Sequence, residues 1–408
     1  MAVNLTAPTA EDLLPVAGIR LATASAGIKK PGRQDVVLIE LAEGSETAAV
    51  YTRNAFCAAP VILARQNQKH TASRYLLINS GNANAGTGET GMRAARQCCQ
   101  SLADLAGVDA TAVLPFSTGV IGQPLPVDKI TAVLPEAMQS LAEDNWLQAA
   151  QAIMTTDTVA KAKSMQLTLA GKTVTITGMS KGSGMIRPDM ATMLAYITTD
   201  AAVSHAVLTT MLHKAMNQSF NRITVDGDTS TNDACVLVAT GQAANKTIDS
   251  ITSEEGERLL TALTEICRYL AQAVVRDGEG ATKFISIYIK QGKSQEECRM
   301  AAYAIAHSPL VKTALFASDP NWGRILAAVG RSGIEGLDVS TVTINIGDVC
   351  IVDQGQPAAD YTEEKGQAVM NEAEIDITVW LGRGQAEDMV WTCDFSYDYV
   401  KINAEYRT

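Results

Sequence analysis

The residues with the most chemical promise lie in one run, KGSGMIRPDMATML, at 181–194. A strand-like segment, TVTIT at 173–177, leads into a glycine-rich turn. Then come Pro188, the pair Ala191-Thr192 and an apolar, strand-like MLAYITT. A threonine hydroxyl is a weak nucleophile until a base takes its proton. An N-terminal threonine carries its own base, an α-amino group with a reference pKa of about 7.7–8.0 that is partly neutral at cellular pH. Exposing that group requires cutting the Ala191–Thr192 bond. The Thr192 oxygen can do this by attacking the carbonyl before it, giving an ester that water hydrolyses. Ala191 is small and leaves that carbonyl open, while Gly182 and Gly184 permit approaches that a Cβ would forbid. By spacing alone, the run also fits a plain glycine-rich connection between two strands. It does not fit a phosphate loop, because GxxxxGK[ST] is absent.

Strands and helices must position such a nucleophile. The β-branched, often alternating runs at 36–41, 48–52, 75–79, 173–177, 235–240, 284–290, 341–347 and 374–382 predict strands. Helical patterns cover 89–106, 134–153, 205–217, 255–275 and 295–316. The longest follows Ser253, an expected N-cap, and runs toward Gly278. With no repeat, low-complexity tract or long linker, the expectation is an α+β protein of layered sheets and helices. Strand order does not follow from the pattern.

Composition bounds the function. The 408 residues, 47% of them hydrophobic, can bury a large core and form two or three structural units. The net charge of −11 comes with no basic stripe, which argues against nucleic-acid binding. The charge is uneven: residues 1–191 carry net +1 and residues 192–408 net −12. No apolar run reaches the roughly 18 residues a membrane span needs. The N-terminus does not read as a signal peptide, so a cytoplasmic protein is expected. Eight cysteines without CxxC predict reduced, mostly buried thiols. Four histidines without ligand spacing predict no metal site.

The run at 181–194 resembles the self-cleavage signature of the ornithine acetyltransferase family, the glutamate N-acetyltransferases of arginine biosynthesis. TRNAFCAAPV (52–61), INSGNANAGTG (78–88), PFSTGVIG (115–122), IMTTDT (153–158), ITVDGDTSTND (223–233), VVRDGEGATK (274–283), FASDPNWGRILAAVG (316–330) and YVKINAEYRT (399–408) are similar too, in the same order. The resemblance implies an N-terminal-nucleophile-like fold, a layered αββα sandwich related to DmpA. It also implies an α chain of residues 1–191, a β chain of residues 192–408, and assembly as two α and two β chains. Thr192 is the implied nucleophile, with Thr118 and Gly119 as the oxyanion hole. Implied substrate contacts are Thr155, Lys181, Thr192, Glu279, Asn403 and Thr408, with Thr156 the alternative to Thr155. Lys181 would pair with an α-carboxylate and Glu279 with the ammonium of ornithine.

The implied reaction moves acetyl from N2-acetyl-L-ornithine to L-glutamate through an acetyl-Thr192 ester. No dissociable cofactor is needed, and acetyl-CoA remains open as a second donor. Two other classes compete: an amidase or aminopeptidase on the same scaffold, and a non-catalytic small-molecule-binding protein. VDGDTSTND is not a calcium loop, since Leu237 stands where the twelfth-position Glu belongs. It is expected to be a buried polar turn behind the site that orients the new amino terminus, with Asp226 and Asp228 structural. Asn79, Asn82 and Asn84 are expected to be turn-formers first.

Overall fold

The computed structural model describes residues 2–187 and 193–406. Two sheets lie face to face at its centre. The first has four strands, in the spatial order Ile19–Ala24, Val36–Leu41, Tyr75–Asn82 and Val113–Val120. The second has five, in the order Glu46–Tyr51, Ala234–Ala239, Leu194–Thr199, Lys172–Lys181 and Lys161–Leu169. Ile39, Leu76 and Phe116 of the first sheet pack against Met179, Tyr196 and Val236 of the second. The outer face of the first sheet is covered by helices Gly88–Ala106 and Val127–Gln139, through Cys98, Leu102 and Leu134. That of the second is covered by His205–Asn217 and Glu254–Arg276, through Met211, Leu263 and Leu270. The result is the expected αββα order of layers. The central strands of the second sheet, Leu194–Thr199 and Ala234–Ala239 (LAYITT and ACVLVA), are buried along their whole length because both faces are covered.

Strands from both sides of residue 191 pair in the second sheet: Lys181 stands opposite Leu194, and Tyr51 opposite Ala234. The segments 1–191 and 192–408 therefore share one core rather than forming two domains. A separate unit follows. Six strands, including Phe284–Gly292 and Glu374–Trp380, bury Ile287, Ile344 and Ile377 against helices Gln295–Ala306 and Trp322–Gly330.

Two expected helices are each broken in the structure. The stretch 134–153 divides into Val127–Gln139 and Trp146–Ala152. Between them, Ala142 exchanges two backbone hydrogen bonds with Leu21, which pulls the chain onto the edge of the first sheet. The stretch 295–316 divides at Ser308, whose side chain caps a new helix, Pro309–Phe316, with proline at its first turn. Ser253 caps Glu254–Arg276 as expected, accepting from Gly256 N at 3.1 Å. Six of the eight cysteines are buried and all are free thiols. Among the described residues, no helix is long and apolar enough to cross a membrane.

Candidate active site

The expected site residues converge at the ends of strands from both central sheets. Lys181 ends its strand beside the point where the described chain resumes at Met193. Thr118 and Gly119 lie at the end of the strand Val113–Val120. A β-bulge at Gly81 and Asn82 faces them from the parallel neighbour. Gly119 has φ +135°, and a Cβ there would lie 2.3 Å from the Gly81 carbonyl carbon, so only glycine fits. Asn79 and Asn82 brace this corner from within the strand, whereas Asn84, with φ +47° and its N–H on Asn82 Oδ1, turns the chain after it. Asn79 donates to Asn82 O at 2.8 Å and accepts from Ser117 Oγ at 2.6 Å. Asn84 is buried and donates to Gly91 O.

Lys181, Thr118, Gly119, Thr155, Glu279 and Asn403 line one cleft of about 260 Å³. Lys181 Nζ donates to Thr118 Oγ1 at 3.0 Å. Burial lowers the Lys181 pKa, and the carboxylates of Asp157, Asp233 and Glu279 oppose that shift. Glu279 is buried on the loop after helix Glu254–Arg276, and its N–H donates to Ser183 O at 2.8 Å. Its carboxylate rests on Gly184, where a Cβ would come within 2.4 Å, and accepts from Asn403 Nδ2 at 2.8 Å. Asn403 belongs to helix Tyr397–Ala404, so this bond docks that helix against the site. Thr156 shares a 2.8 Å hydrogen bond with Ser183 Oγ, whereas no bond of the Thr155 hydroxyl is seen among the described residues. Ala191, Thr192 and Thr408 lie outside the described residues.

Several residues that support the cleft were not anticipated. Asp157 and Asp277 hold Lys161 between them at 2.7 and 2.6 Å, with all three side chains shut off from solvent. Burial alone would raise the Asp157 pKa, but Lys161 and Lys181 outweigh it and hold the carboxyl well below its usual range. Asp157 also accepts from Gly182 N at 2.7 Å and Thr155 N at 3.0 Å, and Asp277 accepts from Thr158 N at 2.9 Å. One buried cluster thus fixes the TTDT loop, the end of the Lys181 strand and the start of the Glu279 loop. The motifs that contain Asp157 and Asp277 were visible, but their pairing with Lys161 carried no sequence signal.

The 223–233 segment divides between two roles. Asp226 accepts from Met185 N at 2.6 Å and Ile186 N at 2.9 Å, gripping the chain where Met185 has φ +56°. Asp228 is exposed, so the expectation of a buried turn fails there; its N–H donates to Asp226 Oδ1 at 3.2 Å. Asn232 is buried and donates to Ala83 O and Ser117 O. Asp233 is buried at the start of strand Ala234–Ala239, next to Ala234, whose N–H donates to Met193 O at 2.9 Å. Its Oδ2 has no partner among the described residues. Burial pushes its pKa well up, against the pull of Ser230 and Lys181. Among the described residues, no cluster of His, Cys, Asp and Glu could hold a metal ion.

Residues 20–408 match the ArgJ family. The chain belongs to that family. It is 59% identical over 399 residues to the arginine biosynthesis bifunctional protein ArgJ of Pseudomonas syringae pv. tomato, covering 97% of this chain and 98% of that one. It is 58% identical over 396 residues to the protein of the same name from Pseudomonas fluorescens, with the same coverage. Among solved structures, an arginine biosynthesis bifunctional protein ArgJ from Bacillus halodurans is 42% identical, with a TM-score of 0.48, covering 51% of this chain and 96% of that one. The family match spans every segment that lines the cleft.

Proposed function

We propose that this ArgJ-family chain is a glutamate N-acetyltransferase of arginine biosynthesis, carrying acetyl from N2-acetyl-L-ornithine to L-glutamate. The observation that carries it is the pairing of one cation and one carboxylate, Lys181 and Glu279, in a cleft that also holds Thr118 and Gly119. An α-amino acid with a cationic side chain matches that pattern: its carboxylate to Lys181, its ammonium to Glu279. The names of the Pseudomonas relatives agree with this.

In this reading the chain cuts itself between Ala191 and Thr192 and adopts the working form of an N-terminal-nucleophile enzyme. Thr192 Oγ attacks the acetyl carbonyl, and its freed α-amino group takes the proton. Gly119 N–H and the Thr118 hydroxyl stabilise the oxyanion, an effect worth about 3–4 kcal/mol per donor in other enzymes. The C–N bond breaks and ornithine leaves with the proton. The amine of glutamate then attacks the ester, the C–O bond breaks, and Thr192 recovers its hydroxyl. Asp233, anchored beside Met193, supplies a carboxyl to orient the new amino terminus. Asn403, Thr155 and Thr408 complete the substrate contacts, and two α and two β chains form the assembly. The direct test is production of N-acetylglutamate from acetylornithine. Ornithine release that depends on glutamate supports transfer, and release of acetate without glutamate would make the protein a hydrolase.

A further inference from the structure

A larger cavity, of about 460 Å³, shares no lining residue with the cleft. Its wall combines Arg187 with residues of helix Gln295–Ala306 and with Arg331, which follows helix Trp322–Gly330. The wall is cationic: Arg187, Arg299 and Arg331 face the cavity, and Glu296 is the one acid among its lining residues. Asp388 answers Arg299 at 3.2 Å but must also answer Arg222, so two arginines share one carboxylate. Arg331 donates to Ala304 O at 3.0 Å, a neutral partner, and among the described residues neither Arg331 nor Arg187 is in an ion pair. Burial, reinforced by Arg187, Lys312 and Arg331, pushes the His307 pKa down to about 4, so that ring on the wall is uncharged at neutral pH. Its Nε2 and the Ser332 Oγ have no partner among the described residues. Cations in excess and two unsatisfied polar atoms on one wall suit an anion.

The cavity is tied to the cut. Arg187 is the last described residue before it, and Ile186 is gripped by Asp226 at 2.9 Å. His307 packs on the same turn: a Cβ on Gly227 would lie 3.5 Å from its ring. Self-cleavage turns a neutral peptide bond into two charges. Water supplies the hydroxyl that ends on the Ala191 carbonyl carbon, the ester C–O bond to Thr192 breaks, and the acid's proton goes to the freed amine. A carboxylate left beside that amine would favour the ammonium form and spoil the base that the mechanism needs. The carboxylate therefore needs a place of its own. Residues 188–191 extend beyond Arg187, and an extended chain of that length reaches roughly 13–14 Å.

We propose that the arginine-lined cavity docks the α-carboxylate of Ala191 in the cleaved protein. The inference rests on the self-cleavage reading and adds where the new chain end goes. The root of the tail, Arg187, already lies on the cavity wall, the charges are complementary, and the reach is sufficient. The two new termini then have separate partners, Asp233 for the amine and the arginines for the carboxylate.

Carboxypeptidase digestion of the native, self-cleaved protein, read by intact mass, tests this. A docked chain end is cut only when it opens, so trimming reports the open fraction. The wild-type α chain should keep Ala191, whereas Arg331→Glu should lose Ala191 and Met190 about tenfold faster, the loss of one charge-assisted contact. Arg331 is exposed and outside the cleft, so the variant should fold and cleave. Inorganic phosphate, a competing anion, should speed trimming of the wild type more than sodium chloride of equal ionic strength does, with a free peptide RPDMA as the control for the protease. That arm needs no variant. A wild-type α chain trimmed as fast as the variant's, or one that resists trimming equally in the variant and in phosphate, overturns the proposal. A cleaved protein with either result defeats this inference alone, whereas a wild-type chain that stays whole defeats the self-cleavage reading and this inference with it.

Discussion

Two lysines near the same cleft, Lys161 buried and Lys181 half-buried, have opposite surroundings. Lys161 lies between Asp157 and Asp277 and also donates to Val159 O at 3.2 Å. Among the described residues, Lys181 Nζ has one hydrogen-bond partner, Thr118 Oγ1, and sits in the field of carboxylates it does not touch. A closed cluster leaves nothing for a ligand to complete, so it serves the fold. A half-buried charge that faces the cleft with one hydroxyl partner among the described residues is poised for a ligand. Asp233, with an oxygen that has no partner among the described residues, belongs with Lys181 in this respect.

That contrast can be broken by exchanging the fates of the two lysines. Lys161→Met leaves two uncompensated buried carboxylates and should cost about 3–5 kcal/mol of stability, measured by urea unfolding. A loss of activity in Lys161→Met without a loss of stability would erase the distinction. Lys181→Met should do the reverse. Its melting temperature should hold within a few degrees while kcat/KM for acetylornithine falls by a factor equivalent to about 2–4 kcal/mol.

Asp233→Asn sharpens the comparison with a smaller effect. The folded pKa of Asp233 is raised, so above an unfolded value of about 3.9 the native state binds more protons than the unfolded one. The stability this group contributes is therefore full at low pH and is lost as pH rises through the folded pKa. Replacing it with a neutral isostere should raise stability by about 1–3 kcal/mol at pH 8, with the gain shrinking toward pH 4, while maturation or turnover slows. Thermal melts across that range read the sign, and an unchanged melting profile with full activity would make Asp233 a spectator.

The sequence exposes the parts of this molecule that depend on local chemistry. The strand at 36–41 and the helix from Ser253 follow from periodicity and capping, whereas the order of layers follows from the family resemblance. The breaks near 142 and 308 were less legible. The first depends on a long-range pairing with Leu21, and the second on Ser308 and Pro309 restarting a helix within an unbroken apolar pattern. Within the site, Thr118, Gly119, Lys181, Glu279 and Asn403 were named by resemblance and share a cleft. The Lys161 cluster was hidden because its members are 116 and 4 residues apart along the chain and meet only through the fold. Tyr406 was missed for the same reason: its relation to the cleft depends on where the C-terminal helix docks.

The central claim is a covalent one, and intact-protein mass spectrometry of the wild type and Thr192→Ala tests it most directly. Self-cleavage predicts two wild-type fragments of about 20 and 23 kDa, by their shares of the 43.2 kDa chain, and an uncut Thr192→Ala protein. A fully matured wild type that remains one 43.2 kDa chain would remove the free amino terminus from the mechanism and contradict the assignment of Thr192.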